Sequence, residues 1–278
     1  MSAKPLYHVV SFSGGKDSTA MVLRMIELGY KIDEVVFCDT TMEFPAMLRH
    51  VEKVRQVVEA AGVKFTILQA EHDFEYYLLQ YTPKRKDPNA KELIGCSWPC
   101  HRVRWCTRIL KHDVINRYLR KLRDEYAVVQ YIGLAADEGY RLERANNQKQ
   151  DMRHPLVEWG WDEEAALSYC YRKGYDWEGL YQQFKRVSCW CCPLQPLSEL
   201  RTLREKHPDL WQRLMSLDAQ TWRVYKEHGV ENLDRRFELE DALTEHGISI
   251  KNRAFFTDLK RLLAGETTIE SILNERKA

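Results

Sequence analysis

The sequence predicts an α/β protein in which a parallel, twisted sheet carries helices on both faces and is followed by a helical region. Three observations support this fold class. Short runs of apolar and β-branched residues alternate with segments of helical periodicity as far as residue 132. Glycines stand where helical segments stop. Beyond residue 198 the chain has charged, amphipathic helical patterns and no strand signal.

The predicted elements follow one another in a regular order. The strand-like run Tyr7 to Phe12 ends in a Ser-Gly-Gly turn, and helical spacing then extends from Ser18 to Leu28. Further strands are expected at 34–38, 64–68 and 127–132, and further helices at 43–61, 73–81, 105–123 and 162–173. A soft boundary near residue 197 predicts two parts, an α/β domain with a cysteine cluster over 1–197 and a helical region over 198–278.

The composition, 44% hydrophobic and 30% charged, is typical of globular proteins rather than of disordered or membrane chains. No apolar run approaches the roughly 20 residues of a membrane helix, and the N-terminus passes almost at once into a strand-like segment. We therefore expect a cytoplasmic protein with no membrane partner. In a reducing compartment, the eight cysteines indicate metal binding or catalysis rather than disulfides.

The net charge of +1 hides an uneven distribution. Between Pro83 and Arg123 there are twelve lysines and arginines against three acidic residues. Such a block could steer a polyanion such as nucleic acid, although a solvated helix face is the commoner explanation of a charge run.

The turn after the first strand has the composition of a phosphate-binding loop. The segment Ser13-Gly14-Gly15-Lys16-Asp17-Ser18 lies where the carboxyl end of a strand meets the N-terminus of a helix. Its two glycines let the backbone approach phosphate oxygens, its serines offer hydroxyl donors, and Lys16 supplies a positive charge. The alternative is a glycine turn with an incidental lysine. The Gly-x-x-x-x-Gly-Lys spacing of a Walker loop is absent.

A carboxylate follows the second strand at the same edge of the predicted sheet. Asp39 could there bind Mg²⁺ or a nucleotide hydroxyl. A turn-forming or helix-capping aspartate is the alternative.

Three cysteines lie close together late in the predicted domain. Cys189 and Cys192 have Cys-x-x-Cys spacing, with Cys191 between them. Neighbouring thiolates suit a soft metal or an iron–sulfur cluster, while zinc and unmetallated thiols are the alternatives. Cys38 and Cys170 stand alone and are expected to be core thiols.

The loop from Ser13 to Ser18 resembles the pyrophosphate loop of the adenine nucleotide α-hydrolase superfamily. Within that superfamily, residues 6–195 resemble the phosphoadenosine phosphosulfate reductase family, and the chain is similar to the ATP-pyrophosphatase component of DNA phosphorothioation systems. Besides the loop, the matching motifs are Phe37-Cys38-Asp39-Thr40, Arg104-Trp105-Cys106-Thr107 with Lys111, Gly133, Pro155-Leu156-Val157-Glu158-Trp159 and Ser188-Cys189-Trp190-Cys191-Cys192.

The resemblance implies a site for ATP, or for phosphoadenylyl sulfate, together with Mg²⁺. The nucleotide-binding residues that it implies are Ser11, Ser13, Gly14, Gly15, Lys16, Asp17, Ser18, Asp39, Thr40 and Gly133. The catalytic residues that it implies are Lys16, Asp17, Asp39 and Arg141. Arg141 is the nearest guanidinium after the fourth strand, where Ala135 and Ala136 depart from the arginine-bearing loop of the family.

The resemblance also implies a [4Fe–4S] cluster. Cys106, Cys189 and Cys192 fall on the paired-cysteine motifs of iron-containing members, while Thr107 replaces one expected ligand. The fourth ligand is Cys191, Cys100 or Cys96, and Cys191 is favoured because one short turn would present it with its neighbours.

Three functions are compatible with these residues. The leading hypothesis is an ATP-dependent sulfur-transfer or nucleic-acid-modifying enzyme that cleaves ATP between its α and β phosphates. The expected partners are tRNA or DNA, or a sulfur-donor protein such as a cysteine desulfurase, and a second copy of the chain in a homodimer. The second is a sulfonucleotide reductase, which is opposed by the lack of cysteine after Cys192. The third is a nucleotide-binding scaffold without turnover.

Overall fold

The computed structural model describes residues 4–84, 93–143, 151–223, 225, 229–250 and 253–277. Five parallel strands form one sheet in the order β3-β2-β1-β4-β5. These strands are β1 (Leu6–Phe12), β2 (Glu34–Cys38), β3 (Lys64–Leu68), β4 (Ala127–Ile132) and β5 (Met152–Arg153). The predicted α/β fold with a parallel sheet flanked by helices is therefore confirmed.

Helices lie between the strands and continue after β5. They are α1 (Lys16–Glu27), α2 (Pro45–Ala60), α3 (Phe74–Leu79), a π-helical turn (Thr107–His112), α4 (Asp113–Glu125), α5 (Gly139–Leu142), α6 (Pro155–Glu158), α7 (Glu163–Arg172), a 3-10 turn (Trp177–Gly179) and α8 (Leu180–Gln183). The predicted helices at 18–28, 43–61, 73–81 and 162–173 each correspond to one of these elements, with ends that differ by a few residues.

The strand order places the loop after β1 at a change of direction in the sheet. The chain adds β2 and β3 on one side of β1, then crosses to the other side to add β4 and β5. The connections that leave β1 and β4 therefore diverge, which opens a crevice beyond the carboxyl ends of these two strands. The loop at Ser13 and the residue Gly133 lie at this position.

One face of the sheet is covered by α4. Its Leu119 is buried in a cluster with Val9, Val36 and Val128, one residue from each of three neighbouring strands. All five residues of β2 are buried, as expected for a central parallel strand covered on both faces. The apolar spacing that predicted helix 105–123 thus forms the contact between α4 and the sheet.

Two local features differ from the predictions. Strand β5 has only two residues, which are too few for a period-2 pattern, and it exists because Met152 and Arg153 pair in parallel with β4. The predicted helix from Trp105 to Arg123 begins as a π-helical turn before α4. Apolar spacing alone does not distinguish the two helix types, and π turns often mark functional regions.

The chain divides into two compact units, one formed by Met1–Tyr77 with His101–Cys192 and the other by Leu78–Cys100 with Pro193–Ala278. The second unit contains α9 (Leu197–Lys206), α10 (Pro208–Ala219), α11 (Gly229–Glu245), α12 (Arg253–Leu263) and α13 (Ile269–Lys277). The helical C-terminal region is thus confirmed, while the functional division at residue 197 stays a prediction.

The second unit has a core of its own. Buried Leu239 and Leu243 of α11 pack with Phe255 of α12 and Ile272 of α13. At the surface between α9 and α11, Arg204 makes a 2.7 Å ion pair with Asp234. None of the described helices in either unit is long and apolar enough to cross a bilayer.

Candidate functional site

The loop after β1 brings a left-handed glycine to the start of α1. Gly14 has φ +78°, and a Cβ atom at this position would lie 2.6 Å from the Met47 sulfur. Gly15 is the residue before the first turn of α1 and makes no side-chain capping hydrogen bond. Backbone N–H groups in the first turn of a helix have no intrahelical acceptor, so this end of α1 is suited to an anion.

The serine hydroxyls stabilise the loop from within. Ser13 donates its backbone N–H to Ser18 Oγ at 3.1 Å, and the two hydroxyl oxygens are 3.0 Å apart. Ser18 Oγ donates to the Gly15 carbonyl at 3.0 Å. Ser11, on β1, accepts a hydrogen bond of 2.8 Å from the Gln130 amide. The hydroxyls of all three serines therefore have partners within the protein, and their binding of a nucleotide stays a prediction.

Lys16 is buried and lies between two carboxylates. Its Nζ is 2.9 Å and 3.0 Å from the two Asp17 oxygens and 2.7 Å from Glu163 Oε2 on α7. Burial alone would lower the pKa of Lys16, but Glu163 and Asp17 outweigh it and raise the pKa. The ammonium is therefore charged at neutral pH.

The pKa of Asp17, the residue after Lys16, is also raised, which disfavours the charged form of this acid. Burial raises the pKa of Asp17, Lys16 opposes this rise, and the nearby charges of Glu163 and Glu138 add to it. Arg141 forms an ion pair with Glu138 Oε1. Glu163 was not among the predicted site residues, because its position after Asp162 is typical of the first turn of any helix.

Gly133 lies against the first turn of α1. A Cβ atom at this position would be 2.8 Å from Ser18 Cα and 2.9 Å from Ser18 N, and both atoms belong to backbone. Only a glycine lets the end of β4 approach the loop so closely.

Buried aromatic residues pack behind the loop. His50 of α2 is hydrogen bonded through Nε2 to Thr19 Oγ1 at 2.9 Å, and its ring stacks on Trp177 with centroids 4.4 Å apart. The Trp177 indole N–H donates to the Gly14 carbonyl at 2.8 Å. Tyr181 accepts a 2.9 Å hydrogen bond from the backbone N–H of Lys16. None of these aromatic residues was a predicted site residue.

Asp39 forms a turn after β2. Its Oδ1 accepts the Thr41 backbone N–H at 2.7 Å, and its Oδ2 accepts the Gln69 amide at 2.8 Å. The turn-forming alternative therefore describes its contacts, while a role in binding nucleotide or Mg²⁺ stays a prediction.

Thr40 connects this turn to the cysteines. Its hydroxyl donates to Glu43 Oε1 at 2.9 Å and lies 3.4 Å from Cys189 Sγ. Lys111 of the π-helical turn has its Nζ 3.6 Å from the same Glu43 oxygen. Burial would lower the pKa of Lys111, but Glu43 and the thiols of Cys189 and Cys38 outweigh it and raise the pKa.

Cys189 to Cys192 form a short turn, closed by a 3.1 Å hydrogen bond from the Cys192 N–H to the Cys189 carbonyl. Burial raises the pKa of the Cys191 thiol, and the neighbouring Cys189, Cys192 and Cys106 raise it further. The four predicted metal ligands are thus close enough to interact electrostatically. Among the described residues, however, no three His, Cys, Asp or Glu side chains converge as they would around a bound metal ion.

The other cysteines lie elsewhere. Cys96 and Cys100 belong to the second unit, where Cys100 Sγ is 3.9 Å from the guanidinium of Arg223. Cys38 and Cys170 are buried, as expected for core thiols. Cys170 lies beneath the loop, with its sulfur 3.5 Å from the Lys16 carbonyl.

Two curated proteins of Methanocaldococcus jannaschii share sequence with the chain. The uncharacterized protein MJ0066 is 27% identical over 213 residues, which are 74% of this chain and 40% of the relative. The uncharacterized protein MJ0973 is 25% identical over 214 residues, which are 73% of this chain and 45% of the relative. The chain therefore spans less than half the length of these relatives.

Among solved structures, the chain is similar to the U34-tRNA thiolase NcsA from Methanococcus maripaludis with its [4Fe-4S] cluster. The TM-score is 0.37 at 15% identity, over 85% of this chain and 73% of that one. A likeness of this size carries no argument about activity.

The phosphoadenosine phosphosulfate reductase domain matches residues 7–195. This match covers more than half of the chain and includes β1, the loop at Lys16, Gly133 and the turn from Cys189 to Cys192. The chain therefore belongs to the phosphoadenosine phosphosulfate reductase family.

Proposed function

We propose that this chain is an ATP-dependent enzyme that cleaves the nucleotide between its α and β phosphates and transfers sulfur to an acceptor. The observation that carries the proposal is the buried, charged Lys16 at the start of α1, beside the left-handed Gly14. Lys16 pairs with the carboxylates of Asp17 and Glu163, and a phosphate chain could take their place as its anionic partner.

In the proposed reaction, an acceptor oxygen attacks the α-phosphorus and the bond to the bridging oxygen breaks. Pyrophosphate departs with the electron pair, and a sulfur nucleophile then displaces AMP from the adenylated acceptor. Lys16 and the N–H groups of the first turn of α1 would stabilise the negative charge that develops on the departing pyrophosphate. The sulfur donor is sulfide, or a persulfide on a partner such as a cysteine desulfurase. With a persulfide, the acceptor is first joined to the partner through an S–S bond, and a second thiol then attacks the partner sulfur, forms a disulfide with it and releases the thiolated acceptor.

Mg²⁺ would assist by neutralising phosphate charge. The buried Oε2 of Glu138 has no hydrogen-bond partner among the described residues. The negative charge of Glu138 also raises the pKa of Asp17. A buried oxygen of this kind fits a cation, so Glu138 and Asp17 join Asp39 as proposed carboxylates for Mg²⁺. Arg141 would act through its ion pair with Glu138.

The proposed metal ligands are Cys106, Cys189, Cys191 and Cys192. Their chemistry fits a [4Fe–4S] cluster, with zinc as the alternative, but their side chains do not converge in the described structure. No reaction step is therefore assigned to the cluster.

Anaerobic purification with iron and sulfide analysis tests the metal proposal. We expect broad absorbance near ~400 nm that is lost in Cys191→Ser and kept in Cys100→Ser. Stoichiometric zinc without iron would contradict the cluster, and loss of iron only in Cys100→Ser would identify a different fourth ligand.

A basic surface is proposed for a nucleic-acid acceptor. In the first unit, Arg102 and Arg104 precede Cys106, and Arg117, Arg120 and Lys121 lie on the exposed side of α4. These five side chains form no ion pair with another described residue. Arg85, Lys86 and Lys91 of the predicted basic block lie outside the described residues. Binding of tRNA or DNA that weakens steeply with salt, and that is both weaker and less salt-dependent in Arg117→Glu with Arg120→Glu, would support this surface.

Nucleotide turnover is tested with Lys16→Met. We expect pyrophosphate release, with ATP, nucleic acid and a sulfur donor present, to fall by roughly 10²–10³-fold. Lys173→Met is the matched control, because Lys173 is also a paired lysine but its partner is Glu27. Equal rates in Lys16→Met and the wild type would refute the proposed role of the loop, and the absence of any release from the wild type would favour a scaffold.

Reduction of phosphoadenylyl sulfate is the second candidate, favoured by the family match. It requires a thiolate that attacks sulfur, and no cysteine follows Cys192 in this sequence. Release of sulfite from the sulfonucleotide with a thiol reductant would establish it. A homodimer and a cytoplasmic location stay predictions.

A further inference from the structure

Behind the loop, a short backbone turn has positive φ angles, which are unfavourable for residues other than glycine. Trp177, Glu178 and Gly179 have φ values of +51°, +53° and +84°, so three successive residues lie in the left-handed region. A bulky residue such as tryptophan rarely adopts this conformation, which persists only where surrounding contacts enforce it.

Several contacts hold this turn in place. The two guanidinium N–H groups of Arg49 each donate to a Glu178 carboxylate oxygen at 2.6 Å. Trp177 is almost fully buried, stacks on His50, and donates its indole N–H to the Gly14 carbonyl. The left-handed turn is therefore fixed to α2 on one side and to the loop on the other.

The turn places Tyr181 against the loop. Its ring meets Trp177 edge-on, with centroids 4.8 Å apart and planes at 77°. Its oxygen accepts the Lys16 backbone N–H at 2.9 Å and would lie 3.4 Å from a Cβ atom built on Gly15. The hydroxyl thus lies against Gly15 and Lys16, at the N-terminal end of α1.

Only half of the hydrogen-bonding capacity of this hydroxyl is used. A phenol accepts and also donates one hydrogen bond. Among the described residues, Tyr181 accepts from Lys16 and donates to none. Burial raises the pKa of Tyr181, so the phenol keeps its proton at neutral pH. A protonated donor with no acceptor among the described residues thus lies beside Gly15 and Lys16 of the loop.

We propose that Tyr181 is part of the phosphate-binding site and donates its hydroxyl hydrogen to a phosphate oxygen of the nucleotide at the Gly14–Lys16 loop. This inference rests on the proposed function, because it requires the loop to hold a phosphate chain. The Lys16 N–H orients the phenol, and the left-handed turn at Trp177 fixes the ring. Tyr181 thereby selects for ligands that carry phosphate at this loop rather than for the nucleoside.

The test compares Tyr181→Phe with the wild type by calorimetric titration of ATP, inorganic pyrophosphate and adenosine. Phenylalanine keeps the ring contact with Trp177 and removes only the hydroxyl. A hydrogen bond to a charged oxygen is lost, so the affinity for ATP and for pyrophosphate is expected to fall about tenfold or more, with the affinity for adenosine unchanged. Tyr175→Phe is the matched control, because Tyr175 is a phenol of the same segment that contacts His50 edge-on.

The readout is the ratio of phosphate-ligand affinity to adenosine affinity, so a general loss of folding does not imitate the effect. Equal ratios in Tyr181→Phe and the wild type, or a parallel loss for all three ligands, would show that Tyr181 only braces the loop and would overturn the proposal. Tighter pyrophosphate binding would overturn it as well, because the phenol would then compete with phosphate for the Lys16 N–H. A wild type that binds neither ATP nor pyrophosphate would instead refute the proposed function itself.

Discussion

Gly133→Ala is expected to displace the loop without changing any charged side chain. The new Cβ atom would lie 2.8 Å from Ser18 Cα, 2.9 Å from Ser18 N and 3.1 Å from the Asp17 carbonyl carbon. Ordinary contacts begin near 3.4 Å, so the first turn of α1 must move away from β4 by roughly half an ångström. All three atoms belong to backbone, and no side-chain rotation relieves the clash.

Two measurements report this displacement. Overpacking of this kind costs about 1–3 kcal/mol, which lowers Tm by roughly 3–10 °C in a chain of this size. The N–H groups of α1 and Lys16 move with the backbone, so the Kd for ATP is expected to rise more than tenfold. Thermal unfolding measures the first effect, and calorimetric titration of ATP measures the second.

Gly139→Ala is the matched control. Gly139 begins α5, six positions further along the chain, and a Cβ atom there meets nothing within 4 Å. Its Tm is expected to stay constant or to rise slightly, because alanine restricts the unfolded chain more than glycine does. If Gly133→Ala kept both the Tm and the ATP affinity of the wild type, the close approach of β4 to the loop would be refuted.

Two further predictions concern buried titratable groups. Burial and, to a smaller extent, Lys53 lower the pKa of His50 from 6.5 to about 3. Between pH 6.5 and about 3, the unfolded chain therefore binds a proton at His50 that the folded protein does not bind. Stability should therefore fall with decreasing pH below 6.5, by up to about 1.4 kcal/mol per pH unit, and urea unfolding of His50→Gln should show a shallower slope; identical slopes would contradict this. Glu34→Ala leaves the Tyr118 hydroxyl and the Lys64 ammonium without their buried acceptor and should cost roughly 2–3 kcal/mol in chemical unfolding. Its ATP affinity should not change, because Glu34 begins β2 at the sheet edge opposite the loop, and a large loss of affinity would show that the two edges are coupled.

Local sequence patterns were sufficient to predict most of the strands and helices that position the site. Four strands were predicted within one residue of their observed ends, because each is a short run rich in apolar and β-branched residues that is defined by neighbouring positions. The glycines of the loop were equally visible, since a left-handed residue and a close backbone approach each require the absence of a Cβ atom. By contrast, β5 carries no apolar pattern, and its two residues are a strand only through their pairing with β4.

The sequence by itself therefore determined the fold class, the helical C-terminal region and the place of the glycine-containing loop after β1. These follow from periodicity and glycine positions within short stretches of chain. Only the tertiary structure decided what surrounds Lys16: Glu163 is 147 positions away, and Tyr181 is 165 positions away. Such contacts depend on how α7 and the left-handed turn at Trp177 pack against α1. Because no local pattern encodes a distance across the fold, the acidic partner and the phenol of this site could be found only in three dimensions.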